Sequence, residues 1–542
     1  MRWFIVILVC SCSFAKGQTY RYLVRFTDKA GSPFAISNPS AFLSQRAIER
    51  RGKQGIQVTE NDFPPNTSYL DSLKSKGALV IYPTRWLNGA LIQATEAQKD
   101  SILQLSFVNA VEFNTPLKQV RKATRESKFS IEEISSLNYG DASAQINLLG
   151  VDSMHNAGFY GENMLVAVMD NGFLNANTID CLDTLFSKNH VLEIYDFVDK
   201  DSSVFSDGGH GTNVLSCMAG YVPGSLIAPA FRADYVLFRT EDDFSESKAE
   251  EVYWLIAAER ADSLGVDVIN TSLGYSTFDN TADNYSTSDM DGNTTIITRA
   301  ADLAASKGMV VVNSAGNSGG TSWNIITAPA DGDSVLAVGA TTRTGEIIGF
   351  SSRGPAADGT VKPDVMAVGW QTALCFPDTT IGTSQGTSFS SPLTAAMATG
   401  FWQSRPYLTA FEVLESIRKS GDQYFTPDND YGYGMANFVR AYHTAEINFP
   451  VRSLQAINPI KSVSLIPSSK GKLKFSFANN LVGKELRISI INLHLKQTIH
   501  QNSFVLTSEN HDEEIAGNEI LPGVILRIEN VTEAKTEAIF RF

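Results

Sequence analysis

The sequence predicts an α/β protein: a parallel sheet flanked by helices, preceded by a smaller α+β unit and followed by a small all-β domain. Three observations carry this. Between about 145 and 445, short Val/Ile/Ala-rich runs alternate with helical stretches, and runs apolar at nearly every position read as strands covered on both faces. Before residue 118 the elements follow the order β-α-β-β-α-β. After Arg452 the pattern changes to apolar/polar alternation without a helical period. A chain of 542 residues has room for several folded units, and 43% hydrophobic with 19% charged residues is the balance of packed globular protein.

The chain opens with Met1 and Arg2, then an uncharged run from Trp3 to Ala15 that closes on Ala15-Lys16-Gly17. That run suits a secretory signal and is too short for a bilayer span, which takes about 20 residues. Residues 1–17 are therefore expected to be a signal peptide, with export through the periplasm to a secreted or cell-surface location. Cys12, after Val9-Cys10-Ser11, loosely resembles a lipoprotein cleavage site, the less favoured alternative. No later stretch is apolar enough to cross a membrane.

Tyr20 to Phe26 (YRYLVRF) predicts a strand, NPSAFLSQRAIERR from Asn38 a helix, and Tyr69 to Lys76 a second helix. ALVIYP and ALIQAT follow as strands, Glu96 to Leu105 as a helix and Val108 to Phe113 as the last strand. This is the ferredoxin-like, split-βαβ order, assigned to 18–118. QVRKATRESK, at 119–128, is charged and without periodicity, the composition of an exposed, cleavable linker; it begins a connecting segment over 119–144.

In 145–447, LVAVMD, YVLFRT, DVINTSL, GMVVVNSAG and SVLAVGA are the expected strands, and SKAEEVYWLIAAERADSLG is a helix between two of them. In 455–542, KLKFSF, ELRISIINL and VILRIEN alternate as strands of a β-sandwich.

The net charge of -14 is unevenly spread. Residues 18–125 carry +7 and residues 126–450 carry -25. An acidic middle excludes nucleic acid as its ligand, because phosphate binding needs a basic face. Past the signal only Cys181, Cys217 and Cys375 remain, so at most one disulfide forms within the chain, its pairing open, and the spacings match no zinc site.

Three element termini carry polar residues that packing does not require. Asp170 follows LVAVM at the carboxyl end of a strand, His210 lies in GGHGTNVLSCMAG before a helix, and Ser388 lies in GTSFSSP at the start of an Ala-rich helix with Pro392 in its first turn. A serine hydroxyl is a weak nucleophile until an imidazole takes its proton, and a carboxylate fixes the imidazole tautomer and stabilises its charged form. Asn317, at a strand end in VVVNSAGN, offers an amide to the oxyanion of the tetrahedral intermediate, and the Ser388 backbone N–H offers a second donor.

VAVMDNGF, GHGTNVLS, VNSAGN and GTSFSSP resemble, in order, the four signature segments of the subtilisin-like serine proteases, the subtilases. The resemblance covers roughly 145 to 445. It implies a subtilisin-like parallel sheet, with Asp170 as orienter, His210 as general base, Ser388 as nucleophile and Asn317 as oxyanion donor. It also implies that Ser272, Leu273 and Gly274 pair with the substrate backbone as an added strand. Two positions depart from the family pattern: Asn171 after the aspartate, and Phe389-Ser390 after the serine. Neither removes a reacting group.

Beside that family the basic α+β unit resembles a propeptide, an intramolecular inhibitor whose tail occupies the cleft and which is released by cleavage between about 114 and 130. Its positive charge facing an acidic enzyme is expected to orient docking, with much of the attraction screened by salt. The tail, with Asn458-Pro459 at its start and LPGVILRI near its end, resembles type IX secretion sorting domains, which implies secretion machinery as a partner. No cofactor is required. Asp283, Asp289, Asp291 and Asn293 could supply calcium oxygens but lack the full loop spacing and terminal Glu, so a polar turn is preferred. Cys217 reads as a small buried side chain, and Glu241-Asp242-Asp243 as a solvated loop near the cleft. The function expected is a self-processing serine endopeptidase acting on polypeptides; the rivals are an inactive binding or adhesion module and an esterase.

Overall fold

The computed structural model describes residues 18–116 and 137–449, and in the C-terminal segment 463–466, 472–477, 481–492, 497–508, 510–514, 524–531 and 535–541. The expected signal, the charged linker and Asn458-Pro459 lie outside the described residues.

The N-terminal unit runs β1 (Thr19–Phe26), α1 (Gln45–Lys53), α2 (Thr67–Ser75), β2 (Leu79–Thr84), β3 (Gly89–Thr95), α3 (Glu96–Leu103) and β4 (Val108–Pro116). Its antiparallel sheet has the order β2-β3-β1-β4, as the split-βαβ reading requires. Alternation along β1 decides what each face covers. Tyr22 and Val24 pack with Leu73, Ile92 and Ile102 under the unit's own helices, while Leu23 joins Leu91, Tyr82 and Trp86 in the core shared with the following domain. The helix expected from Asn38 is two pieces: Pro39–Ala41 is a single 3-10 turn without a side-chain cap, and α1 begins after Ser44, whose Oγ accepts from Ala47 N at 3.1 Å. The serine satisfies a free N–H of the first turn; Asn38 is engaged instead by Ser40.

The large domain continues with α4 (Ser143–Leu148), α5 (Val151–Asn156), β5 (Leu165–Asp170), α6 (Asp183–Ser187), β6 (Val191–Asp196), α7 (His210–Ala219), β7 (Tyr221–Val222), β8 (Leu226–Ile227), β9 (Asp234–Arg239) and α8 (Lys248–Leu264). Then come β10 (Val268–Thr271), α9 (Ile296–Ser306), β11 (Val310–Ser314), β12 (Val335–Thr341), β13 (Val365–Val368), β14 (Thr372–Cys375), β15 (Ile381–Ser384), α10 (Thr387–Ser404), α11 (Ala410–Arg418) and α12 (Phe438–Asn448). Seven strands form one parallel sheet in the order β13-β12-β11-β10-β5-β9-β6, with the core of α7 and α10 on one face and that of α8 and α9 on the other. Central strands are buried along their whole length, which is why they read as unbroken apolar runs. The two edge strands escaped the sequence reading: β13 has four residues, and β6 interposes Glu193 in a mixed pattern.

In the C-terminal segment β16 (Val463–Ile466), β17 (Lys472–Phe477), β18 (Glu485–Asn492), β19 (Gln497–Val505), β20 (Asn510–Glu514), β21 (Val524–Asn530) and β22 (Lys535–Arg541) make two antiparallel sheets, β16-β17-β20 and β19-β18-β21-β22.

The N-terminal unit sits on α8 through ion pairs away from water. Asp262 of α8 receives Arg50 at 2.6 Å and Arg51 at 2.7 Å, with all three side chains at most 4% exposed. Glu259, one turn earlier, accepts from Thr84 Oγ1 at 2.6 Å, Arg85 N at 2.9 Å and Trp86 N at 3.0 Å. These pairs act at contact, apart from the long-range, salt-screened attraction expected between the two net charges. Paired charges this deeply buried are screened far less than exposed ones.

Candidate active site

Parallel strands present their carboxyl ends on one edge of the sheet, and at that edge the candidate residues meet. Asp170 ends β5, and its Oδ1 accepts from His210 Nδ1 at 2.8 Å and from Asn171 N at 2.9 Å. Its Oδ2 is buried without a partner, so the carboxylate's charge is directed at the imidazole. His210 is the first residue of α7, held against β5 by Gly211: a Cβ there would lie 2.2 Å from Gly172 O. The ring keeps 33% of its side-chain surface exposed, which leaves it accessible from the cleft. Burial alone would lower its pKa, but the charge and hydrogen bond of Asp170, with the field of Asp243, outweigh that and leave it above 6.5.

Ser388 is the second residue of α10. Pro392, expected in the first turn, lies inside the helix beyond it. Having no N–H, it cannot bond the Ser388 carbonyl four residues back. Ser272 supplies the missing donor: its Oγ bonds Ser388 O at 2.8 Å. The proline thus ties the backbone of Ser388 to the segment leaving β10. Ser388 Oγ faces Ser272 O at 3.5 Å, and among the described residues no hydrogen bond joins it to His210. Such bonds are often long before substrate binds.

Asn317 is oriented by Thr387, whose N–H and hydroxyl donate to Asn317 Oδ1 at 2.9 and 3.0 Å. With the amide oxygen so occupied, Nδ2 is the free end. Gly386, at φ +144, brings the chain past this amide, where a Cβ would lie 3.7 Å from Nδ2.

Ser272, Leu273 and Gly274 follow β10, and the next residue, Tyr275, bonds Ala328 O through its N–H at 2.9 Å. Gly274 is exposed and must be glycine: a Cβ would stand 2.2 Å from Thr327 Oγ1. Thr327 also limits Gly316, where a Cβ would lie 2.8 Å from its Oγ1, so the segments after β10 and β11 converge on this threonine.

A model of the subtilase family matches residues 161–434, which contain all of these groups. The chain belongs to the subtilase family of serine endopeptidases. A second model, the Bacteroidota peptidase S8 propeptide domain, matches residues 21–130. Subtilisin E of Bacillus subtilis is 28% identical over 350 residues, 62% of this chain and 82% of the subtilisin. Subtilisin DY of Bacillus licheniformis is 30% identical over 306 residues, 55% of this chain and 97% of its own length. The cell wall-associated protease of Bacillus subtilis is 23% identical over 451 residues, 76% of this chain and 46% of that one. This subtilase therefore carries its family's propeptide in front of the catalytic fold.

Cys181 and Cys375 form the disulfide whose pairing the sequence left open, with Cα atoms 6.7 Å apart, and Cys217 is free and buried. Burial pushes its thiol far up, so it stays protonated. The candidate calcium oxygens serve their own turns: Asp291 Oδ1 accepts from Asn293 N and Thr294 N at 2.9 and 2.8 Å, Asp289 Oδ2 from Ser286 N at 2.7 Å, and Asp283 Oδ2 from Asn280 Nδ2 at 3.0 Å. Among the described residues no group of three or more His, Cys, Asp or Glu is arranged to hold a metal ion.

One sequence expectation is reversed. Glu241 is not solvated; it is 9% exposed and bonded to the Tyr275 hydroxyl. Glu250, in the first turn of α8, lies with it at 1% exposure. The pattern TEDDFSESKAEE offered no warning, because charged residues at a strand end normally mark a loop.

Proposed function

We propose that the protein is an exported endopeptidase that hydrolyses peptide bonds through an acyl-enzyme at Ser388. The hydrogen bond between Asp170 and His210, at the sheet edge that also carries Ser388 and Asn317, is the observation that supports this most. In the reading, a peptide lies along Ser272–Gly274 and Ser388 Oγ attacks its carbonyl. His210 Nε2 takes the hydroxyl proton while Asp170 holds Nδ1–H and stabilises the imidazolium. Asn317 Nδ2 and the Ser388 N–H receive the oxyanion. His210 then passes its proton to the leaving amine, and water repeats the sequence to release the acid. The N-terminal unit is removed by the same chemistry. Loss of self-processing and of peptide hydrolysis together in the Ser388→Ala chain tests the assignment.

Because the base works only as neutral imidazole, kcat/KM should fall as pH drops through a pKa above 6.5. Asp243→Asn removes one charge that raises this pKa, so the acid limb of the pH–rate profile should move to lower pH. A limb that stays in place shows that the field of Asp243 does not reach the ring. The same raised pKa contributes folding stability below pH 6.5 that is lost as pH rises through the folded value.

The tail from 455 to 542 is read as a sorting module. A chain truncated at 454 should keep its protease activity in cell extracts and fail to reach the cell surface; normal delivery would remove this assignment.

A further inference from the structure

Asn171 is one of the two departures from the family pattern, and the proposed catalytic steps give it no part. It is the first residue past β5, and its contacts reach β5, β9, the start of α7 and the loop after β9. Its N–H donates to Asp170 Oδ1 at 2.9 Å, and its carbonyl accepts from Nε of Arg239, the last residue of β9, at 3.1 Å. In the side chain, Oδ1 accepts at 3.3 Å from the N–H of Gly211, the residue after His210 in the first turn of α7. Nδ2 donates to Asp243 Oδ1 at 2.7 Å. The partners decide which end of the amide is which, since an N–H needs the oxygen and a carboxylate needs the nitrogen. The backbone leading into α7 closes on the same residue: a Cβ on Gly208, which has φ +61, would stand 2.2 Å from Asn171 O and 2.5 Å from Oδ1.

The N–H groups of a helix's first turn have no partner within the helix. Asn171 gives one of them an acceptor, and so fastens the turn that carries His210 to the end of the strand that carries Asp170. Asp243 is exposed, and an exposed side chain without a tether samples several rotamers; the amide holds this one in a single place. Among the described residues, Asp170 from β5 and Asp243 from the loop after β9 are the charges that act on the imidazole. From α10 the ring meets Phe389, with centroids 5.9 Å apart.

We propose that Asn171 is a positioning residue for the catalytic base: its one amide fastens the start of α7 to the end of β5 and holds the Asp243 carboxylate beside His210, so that the ring's orientation and the charge it feels are set together. The inference rests on the endopeptidase reading and adds a residue to its machinery. Alanine at 171 loses both side-chain bonds. Aspartate keeps an acceptor for Gly211 N–H but turns the donor that faces Asp243 into a second carboxylate. Exchanging the two residues, Asn171→Asp with Asp243→Asn, again sets one amide donor against one carboxylate and keeps the total charge.

Each variant is made in the full chain, allowed to process, and assayed on an internally quenched peptide across the acid limb of the pH–rate profile, with rates expressed per active serine. Asn171→Ala should lower kcat about 10-fold, the size of one hydrogen bond to a charged group, with KM unchanged because the amide does not touch the substrate. Its acid limb should move to lower pH, toward that of Asp243→Asn, and Asn171→Ala added to Asp243→Asn should move the limb no further, since the tether then holds no charge. Asn171→Asp alone should lose activity, and the exchanged pair should exceed it at least ~3-fold, the lower range of coupling between residues in contact. A wild-type kcat and limb in Asn171→Ala, limb shifts that add in the double variant, or an exchanged pair no more active than Asn171→Asp each overturns the positioning role and leaves the protease reading standing. If Asn171→Ala does not mature, the exchanged pair, close to isosteric, decides alone. A wild-type chain that hydrolyses no peptide overturns both.

Discussion

The Ser388→Ala chain should accumulate at full precursor length and hydrolyse no casein. In the proposed mechanism Ser388 is the group that forms the acyl bond, and the expected loss in kcat is on the order of 10⁶-fold. What remains comes from binding and from the oxyanion donors, so Asn317→Ala in an otherwise intact chain should lose less, about 10²- to 10³-fold. The two variants separate chemistry from electrostatic assistance. Ser388→Ala removes a nucleophile; Asn317→Ala leaves it in place and removes one donor that Thr387 had oriented. Accumulation of the precursor is followed by mass spectrometry, and casein release by a fluorescent assay. Mature enzyme with normal activity in the Ser388→Ala preparation would sink the mechanism, and equal losses in the two variants would show that Asn317 does more than donate.

Asp262→Ala should break the hold of the propeptide on the enzyme. Asp262 pairs both Arg50 and Arg51, Asp62 pairs Arg51 as well, and both buried guanidiniums already leave a nitrogen without a partner. Removing the carboxylate strands Arg50 away from water and leaves Arg51 with Asp62 alone, a change that costs roughly 3–5 kcal/mol. Affinity changes tenfold for each 1.4 kcal/mol, so the inhibition constant of the cleaved propeptide should rise at least ~100-fold. The measurement is residual activity of mature Asp262→Ala enzyme titrated with propeptide, against wild type. An unchanged inhibition constant would mean that the apolar contacts of Leu23, Tyr82 and Trp86 and the Glu259 hydrogen bonds hold the complex without Asp262. Mild acid should not mimic the mutation. Asp62, buried beside the pair, would be raised by burial alone, yet Arg51 and Lys307 hold it well below the usual carboxylate range. Its contribution is therefore complete above about pH 3.8 and fades only as pH falls through the depressed value.

How much of the site was legible depended on the kind of constraint. Asp170, His210, Asn317 and Ser388 stood out because each is a polar residue at the end of an apolar element, which packing alone does not explain. The glycines beside them were visible too, and the structure supplies their reasons: close backbone approach at Gly211, the Thr327 side chain at Gly274 and a positive φ at Gly386. The helix start at Ser44 was misplaced because Asn38-Pro39-Ser40 is an equally good start signal locally, and only packing decides between two such signals. The bond from Ser272 to Ser388 was hidden, since it joins positions 116 residues apart and exists because Pro392 leaves a carbonyl unpaired.

The sequence by itself determined the order of the central elements, the α/β class, the N-terminal split-βαβ unit and the polar residues that meet at the candidate site, because periodicity and turn chemistry are local properties of the chain. Burial of charge is not local. That Glu241 and Glu250 face each other without a counter-ion, that Asp262 serves two arginines from another unit, and that Cys181 rather than Cys217 reaches Cys375 were decided only when distant segments met across the sheet. A carboxylate carries the same letter whether water or protein surrounds it, and the difference between those surroundings is what turns it into a solubilising group or a lock.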